Sequence, residues 1–203
     1  MSMPRILTPT LLEYLAAKSV LPWADITWTG VGLARWRATA ADAGYLLCGL
    51  AGGLAADPRP GTVLIPERVG LADGRRFDCD PAMVRALQTA ARDAALTMDS
   101  GPLLTADEMI VGPARRIWAG KGFVAADMET GKLAASGFRV ATVRVILDSA
   151  KDEISPEWEH PLQAVLHLKL KELFWLGWAA PLFSRRAARA LKAGLSLMPA
   201  EGW

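Results

Sequence analysis

The fold of this chain is decided by one stretch, Arg144-Val145-Ile146-Leu147-Asp148-Ser149-Ala150, in which an apolar run ends in an acid. The longer segment Val140–Leu147 is rich in β-branched side chains and predicts a buried strand. Asp148 then follows at the carboxyl end of that strand, where open α/β sheets bind their ligands. An acid in this position can act as a general acid toward a departing group.

Outside this stretch, short apolar runs alternate with segments of helical period, which favours an α/β domain over a helical bundle or a β-sandwich. The predicted strands are Arg5–Thr8, Ile26–Thr29, Tyr45–Cys48, Thr62–Ile65, Leu103–Thr105, Val124–Asp127 and Val140–Leu147. The predicted helices are Leu11–Lys18, Leu33–Ala43, Pro81–Ala95, Ala106–Trp118 and Glu129–Ser136. We therefore expect a sheet with helices packed on its faces.

The length of 203 residues predicts a single domain, 1–203, with one core. After Pro156 no strand signal remains, and a helical C-terminal extension of about 156–198 is expected. Pro181 is predicted to end one helix of this tail, and a second helix is predicted to begin at Ser184. The tail belongs to the same compact unit, because no linker or repeat separates it.

The composition excludes several classes of function. A net charge of +2 gives no field strong enough to predict nucleic-acid binding. His160 and His167 lack the spacing of metal ligands, so no metal site is predicted. Pro9 and Glu13 interrupt any secretion signal, and the apolar stretch Leu173–Phe183 is too short to span a bilayer. A cytoplasmic protein is expected.

A glycine-rich segment, Cys48-Gly49-Leu50-Ala51-Gly52-Gly53-Leu54, follows a predicted strand. Small residues let a ligand approach the backbone closely, and consecutive N–H groups can face oxygen atoms. The alternative is a tight turn that packs without any ligand. The segment matches neither the dinucleotide-binding fingerprint nor the P-loop.

A second segment, Val124-Ala125-Ala126-Asp127-Met128-Glu129, places two acids where a buried strand passes into a helix. A carboxylate such as Glu129 can accept hydrogen bonds from two neighbouring sugar hydroxyls and so bind a ribose. The alternative is that the acids only stabilise the positive end of the helix dipole.

Taken together and in this order, these segments resemble the nucleoside phosphorylase superfamily. Within it, the chain is most similar to the hopanoid-associated phosphorylase-like proteins, and methylthioadenosine/S-adenosylhomocysteine nucleosidases are related. The resemblance covers about Arg5–Pro156, and the helical tail also resembles the hopanoid-associated group. It implies a three-layer α/β fold in which a central mixed sheet, flanked by helices, closes partly into a barrel. It also implies a homodimer or a higher homo-oligomer.

The resemblance assigns roles to individual residues. Asp148 matches the aspartate that protonates the departing purine, and Glu129 matches the glutamate that binds the ribose hydroxyls. Met128 matches a methionine that packs against the sugar. Met109 and Ile110 match the apolar pair that lines the purine site, although such residues also occur as ordinary core.

Other matches concern the nucleophile. Ala51 and Gly52 match the loop beside the sugar, and Glu13 lies about where nucleosidases have a glutamate that positions water. Glu13 can equally be a solvated residue of the first helix. Arg144 is a candidate for substrate binding, and the alternative is that it pairs with a buried acid.

Two departures from the family pattern concern the choice between water and phosphate. Leu50 stands where many relatives have a serine, and Leu147 replaces a small polar residue before Asp148. The phosphate signature of the best-characterised phosphorylases is also missing, although Arg35 and Arg37 remain candidates alongside Arg144. Hydrolysis is therefore favoured over phosphorolysis. No cofactor is expected, and phosphate is kept open as a co-substrate.

The resemblance implies release of adenine from a 5′-substituted adenosine, with adenosylhopane as the expected, lipid-linked substrate. One alternative is a purine nucleosidase or phosphorylase for a small metabolite such as methylthioadenosine. Another is a catalytically degenerate nucleoside-binding module. Trp175 and Trp178 in the tail offer an aromatic surface for peripheral membrane contact, and packing in the core or between subunits is the alternative.

Overall fold

The structure is a computed structural model that describes residues 4–37, 44–150 and 170–198. Its strands are β1 Arg5–Thr8, β2 Ile26–Trp28, β3 Gly44–Gly53, β4 Val63–Leu64, β5 Arg68–Leu71, β6 Arg76–Asp78, β7 Met98–Asp99, β8 Leu103–Thr105, β9 Ala125–Asp127 and β10 Arg139–Asp148. Its helices are α1 Leu11–Val20, α2 Pro81–Asp93, α3 Pro113–Gly120, α4 Thr130–Ala135 and α5 Leu170–Leu195.

A single mixed sheet organises the molecule. Its strand order is β6-β5-β8-β9-β3-β10-β4-β7, and β1 joins β3 and carries β2. The long strand β3 lies at the centre, where it pairs in parallel with β1 and β10 and antiparallel with β9. Both long strands, β3 and β10, are buried along most of their length. They form the floor on which the site is built.

The predicted fold class is confirmed: a central mixed sheet is flanked by helices. The partly closed barrel is not what the described residues form, because the end strands β6 and β7 of the pairing order do not pair with each other. The predicted strands are all present, with β3 reaching beyond its predicted end to Gly53. The short strands β5, β6 and β7 were missed, since two to four residues carry too little pattern.

Two predicted helices are wrong in extent. In place of Leu33–Ala43 the described part has only a short 3₁₀ helix, Val31–Leu33, because Gly30, Gly32 and Leu33 all have positive φ angles. Residues 38–43 lie outside the described ranges.

The helix predicted for Ala106–Trp118 begins only at Pro113. Gly112 adopts a φ of 57°, and a proline disfavours helical backbone at the residue before it. The residues that precede Gly112 are therefore free of helical geometry and can line the site.

The tail also differs from its prediction, because α5 continues through Pro181 without the predicted break. A proline inside a helix removes one backbone donor, which would otherwise bond the carbonyl of Gly177 four residues earlier. Gly177 lies in an exposed part of the helix, where water can satisfy that carbonyl. Burial of Ala179, Phe183 and Ala187 against the sheet layer stabilises the continuous helix.

Part of the tail prediction falls outside the described residues, including the start of the extension at Pro156 and both histidines, His160 and His167. Within the described ranges, no helix combines the length and the apolar character needed to cross a lipid bilayer. The single-domain assignment stays a prediction.

Candidate active site

The register of the central strands brings the predicted acids together. On β3, Gly52 is paired with Ala126 of β9 on one side and with Asp148 of β10 on the other. A register shift between Ile146 and Asp148 leaves Leu147 without a partner on β3, and such irregularities commonly redirect a side chain at a site. The ends of three strands therefore meet around Gly52.

Glu13 reaches the site from α1 through its role at the helix start. Thr10 caps the helix, and Glu13 Oε2 accepts hydrogen bonds from Thr10 N at 2.8 Å and Thr10 Oγ1 at 2.6 Å. Its other oxygen, Oε1, accepts from Leu50 N at 2.7 Å. Burial raises the pKa of Glu13, and the nearby Arg144 acts in the opposite direction. The alternative of a solvated Glu13 is wrong, since its exposed fraction is 5%.

Gly49 makes this approach of Glu13 to β3 possible. A Cβ at this position would lie 2.3 Å from Glu13 Oε1, closer than real contacts allow, and would also make a tight contact of 3.0 Å with Arg144 Nη1. The glycine-rich segment thus has a packing reason at Gly49 in addition to any ligand.

Arg144 is fully buried beneath the site and pairs with acids of the β9–α4 junction. Its Nη2 donates to Asp127 Oδ2 at 2.6 Å and to Glu129 Oε2 at 3.0 Å. Asp127 is in turn fixed by the hydroxyls of Thr105 and Thr130. Arg144 therefore pairs with buried acids, which was the alternative to substrate binding, and these acids balance its charge.

Glu129 keeps acceptor capacity despite these contacts. Oε2 faces Arg144, and Oε1 accepts one hydrogen bond from Gly32 N at 2.8 Å. Burial raises the pKa of Glu129 to about 7, while Arg144 lowers it and Asp127 raises it further. An ionised carboxylate has about four lone-pair sites, so each oxygen can still accept from a hydroxyl.

Asp148 has a partner that the sequence analysis missed. Arg115 of α3 donates from Nη2 to Asp148 Oδ2 at 2.6 Å, and both side chains are buried. The same guanidinium also donates to Gly53 O at 2.7 Å and to Ile110 O at 2.9 Å. Arg115 therefore connects the acid at the end of β10 to the segment of the predicted purine site.

These residues surround one cavity of about 440 Å³, within the range typical of small-molecule sites. All nine predicted site residues line it: Glu13, Ala51, Gly52, Met109, Ile110, Met128, Glu129, Arg144 and Asp148. Leu50 and Leu147, the two departures from the family pattern, also line it.

Arg35 and Arg37 do not line this cavity. Arg35 stacks on the ring of Trp28, and Arg37 donates to the carbonyl of Trp36. A larger cleft of about 570 Å³ lies beside β5, β6 and the start of α2, and none of the nine predicted residues lines it.

Sequence reasoning missed Arg115, Thr10 and Val31 as lining residues. The only available signal for Arg115 was the Gly112-Pro113 pair, which separates α3 from the segment before it. Thr10 followed three residues later by Glu13 is a capping-box pattern, which can be recognised in the sequence itself.

The cavity has a clear chemical character. Its lining contains more carboxylates than guanidiniums, and most of the remaining lining is apolar. Fold and site together define an α/β protein whose pocket suits a neutral, hydroxyl-bearing ligand with an apolar portion.

Comparison with known proteins agrees with that class. The model of the Phosphorylase superfamily matches residues 45–173, more than half of the chain, and the protein belongs to this superfamily. No curated protein sequence matches the chain significantly.

Solved structures share the fold. Futalosine hydrolase of Helicobacter pylori aligns with a TM-score of 0.72 at 12% identity, covering 94% of this chain and 96% of that chain. The methylthioadenosine/S-adenosylhomocysteine nucleosidase of the same organism gives 0.72 at 13%, with coverages of 97% and 99%. The corresponding nucleosidase of Neisseria meningitidis gives 0.71 at 14%, again with 97% and 99%.

Proposed function

We propose that this chain is a nucleosidase that hydrolyses the N-glycosidic bond of a 5′-substituted adenosine and releases adenine. The observation that carries the proposal is that Glu129 and Asp148 line the same cavity. Cleavage of this bond requires a hold on the ribose and a proton for the departing base, and these two acids supply them.

Glu129 is the proposed ribose ligand. Its two oxygens retain lone pairs next to the contacts with Gly32 and Arg144, so the carboxylate accepts hydrogen bonds from neighbouring hydroxyls. Met128 precedes it in the lining and packs against the sugar face in this proposal. The ionised form of Glu129 is the one that binds, because a protonated acid has fewer acceptor sites.

Asp148 is the proposed proton donor to N7 of adenine. Met109 and Ile110 provide apolar contacts for the purine ring. As the bond from C1′ to N9 breaks, its electron pair moves to the base and the Asp148 proton moves to N7. The resulting carboxylate faces Arg115. The hydrogen bonds from Arg115 to Gly53 O and Ile110 O keep the guanidinium in place whether Asp148 is protonated or ionised.

Water is the proposed nucleophile, and Glu13 the group that positions it. The oxygen of water forms the new bond to C1′ while its proton moves to Glu13 and then to solvent, and Asp148 regains a proton from solvent. A raised pKa of the Glu13 carboxyl, caused by its burial, suits a group that accepts this proton.

The cations of the pocket favour water over phosphate. Arg144 is paired with Asp127 and Glu129, so its guanidinium charge is already balanced by carboxylates. A phosphate dianion would be repelled by the ionised Glu129 that binds the ribose, and Arg144 has no unbalanced charge to offset this repulsion. Leu50, in the place of a family serine, adds no hydroxyl to hold it.

The apolar rim of the cavity supports a hydrophobic 5′ substituent. Leu12, Val31, Leu147 and Leu176 belong to the lining, and Leu12 and Val31 are exposed. Adenosylhopane, the lipid-linked substrate of the hopanoid-associated group that the chain resembles, fits this chemistry and is the proposed substrate. The solved nucleosidase of Neisseria meningitidis is in complex with methylthio-immucillin-A.

The test is an assay of adenine release by the purified protein from adenosylhopane and from 5′-methylthioadenosine, each with and without phosphate. We expect release that does not depend on phosphate, a free ribosyl product and a preference for the lipid-linked substrate. Ligand-induced thermal stabilisation without base release would instead identify a binding module. Release that requires phosphate would identify a phosphorylase.

The subunit composition is a separate proposal. The family resemblance implies a homodimer or higher oligomer, which light scattering of the purified protein measures directly.

A further inference from the structure

One side of helix α5 forms an exposed ridge. Positions three or four apart lie on the same side of a helix, and the ridge consists of Trp175, Trp178, Leu182, Arg185, Arg189 and Lys192. Trp178 is 58% exposed, Leu182 44% and Trp175 37%. The opposite side, with Ala179, Phe183 and Ala187, is buried.

The α5 ridge is divided into two chemically different halves. Its first half is aromatic and aliphatic, and its second half is cationic. The described side chains of this region, residues 175–198, include four cations and no acid. None of these four cations forms a salt bridge in the described part of the chain. Their charge is therefore available to an external partner.

The helix that carries the ridge also contributes to the cavity lining, through its opposite side. Leu176 and Ala180 of the same helix line the cavity, as does Leu12 of α1. Helices α1 and α5 pack against each other, and α1 contributes the exposed Leu11 and Leu15. Helix α5 therefore carries the ridge on one side and part of the cavity lining on the other.

We propose that the α5 ridge binds the surface of an anionic lipid bilayer. Tryptophan side chains favour the interfacial region of a bilayer, and arginine and lysine attract anionic headgroups. The ridge from Trp175 to Lys192 is roughly 26 Å long, so the helix lies along the membrane plane. The protein would then be held at the bilayer in which a lipid-linked substrate resides.

Charge decides between a bilayer and a second copy of this chain. The cores of protein–protein interfaces are depleted of charged residues. A self-association through the ridge would bury Arg185, Arg189 and Lys192, and the ridge itself has no carboxylates to pair with them. Anionic headgroups supply that missing charge.

The experiment is sedimentation of the full chain with vesicles of phosphatidylcholine alone or mixed with phosphatidylglycerol. We expect binding to the mixed vesicles only, weakened by added salt. Arg185→Glu/Arg189→Glu and, separately, Trp175→Ala/Trp178→Ala should each weaken it by about tenfold or more. The matched controls Arg85→Glu and Trp23→Ala change exposed residues outside the ridge and should bind like the wild type.

Three results would overturn the proposal: no binding of the wild type to anionic vesicles, equal loss in ridge and control variants, or a wild-type dimer that Trp175→Ala/Trp178→Ala dissociates. The inference rests on the lipid-linked substrate of the proposed function, but the two proposals are tested by separate assays. Vesicle binding is measured without turnover, and adenine release from methylthioadenosine is measured without vesicles. Failure of one assay leaves the other interpretable.

Discussion

Arg115 Nη2 lies 2.6 Å from Asp148 Oδ2, and this ion pair is almost fully withdrawn from solvent. A buried carboxylate without a counter-charge is strongly unfavourable, so the pair determines whether the end of β10 can carry an acid at all. The pair also joins the β8–α3 segment of the pocket lining to the end of β10.

Replacing Arg115 with Met should lower the free energy of unfolding by about 3–5 kcal/mol, because it removes the guanidinium that lies 2.6 Å from the buried Asp148 carboxyl. Arg116→Met on the same helix is the matched control, since Arg116 is exposed and should cost less than about 0.5 kcal/mol. Urea denaturation measures both. Adding Asp148→Asn to the Met variant should recover part of the loss, and equal effects of the two single variants would contradict this account.

Asp148→Asn should reduce kcat for adenine release by about 10²–10⁴-fold, because the amide has no acidic proton to deliver to N7. The amide oxygen still accepts from Arg115, so circular dichroism should show a folded protein. Asp93→Asn, at an exposed acid near the end of α2, serves as the control and should be fully active. Near-normal turnover in Asp148→Asn would exclude this acid as the proton donor.

Gly49→Ala should destabilise the protein by about 1–3 kcal/mol and impair turnover, because the new methyl group would overlap Glu13 Oε1. Gly120→Ala is the control: it lies near the end of α3, and a Cβ there meets no atom within 4 Å. Thermal unfolding compares the two. A Gly49→Ala protein as stable as the control would show that Glu13 is not held tightly against β3.

The pKa of Glu129, raised by burial from 4.5 to about 7, makes stability depend on pH. Between these values the folded protein binds a proton that the unfolded chain does not. The contribution of this group is therefore complete below about pH 4.5 and is lost as the pH rises through about 7.

Glu129→Gln removes this titration. The difference in unfolding free energy between the variant and the wild type should consequently shift in favour of the variant by roughly 1–3 kcal/mol from about pH 5 to about pH 8. Glu67→Gln, at an exposed position, should show no such shift. A constant difference across this range would contradict the raised pKa.

The acids of the site were predictable because their signals are local. Asp148 directly follows an apolar run. Glu129 is the last residue of the six-residue segment Val124–Glu129, in which a buried strand passes into a helix. The ends of strands are where α/β sheets bind ligands, so position along the chain was enough to place them.

Arg115 was not predictable in the same way. Its partner Asp148 lies 33 residues away, and its segment was predicted as part of a longer helix. The continuity of α5 through Pro181 was missed for a similar reason, since burial along one side of the helix outweighs the local cost of a proline.

The sequence by itself determined which residues stand at the strand ends and what each can do chemically, because strand pattern and side-chain type are local properties. Only the tertiary structure decided how the charges are distributed. Long-range register places Arg144 against Asp127 and Glu129, and α3 places Arg115 against Asp148. Because these side chains are buried, each guanidinium needs an acidic partner nearby. The two arginines of the pocket are accordingly each paired with acids of the pocket itself.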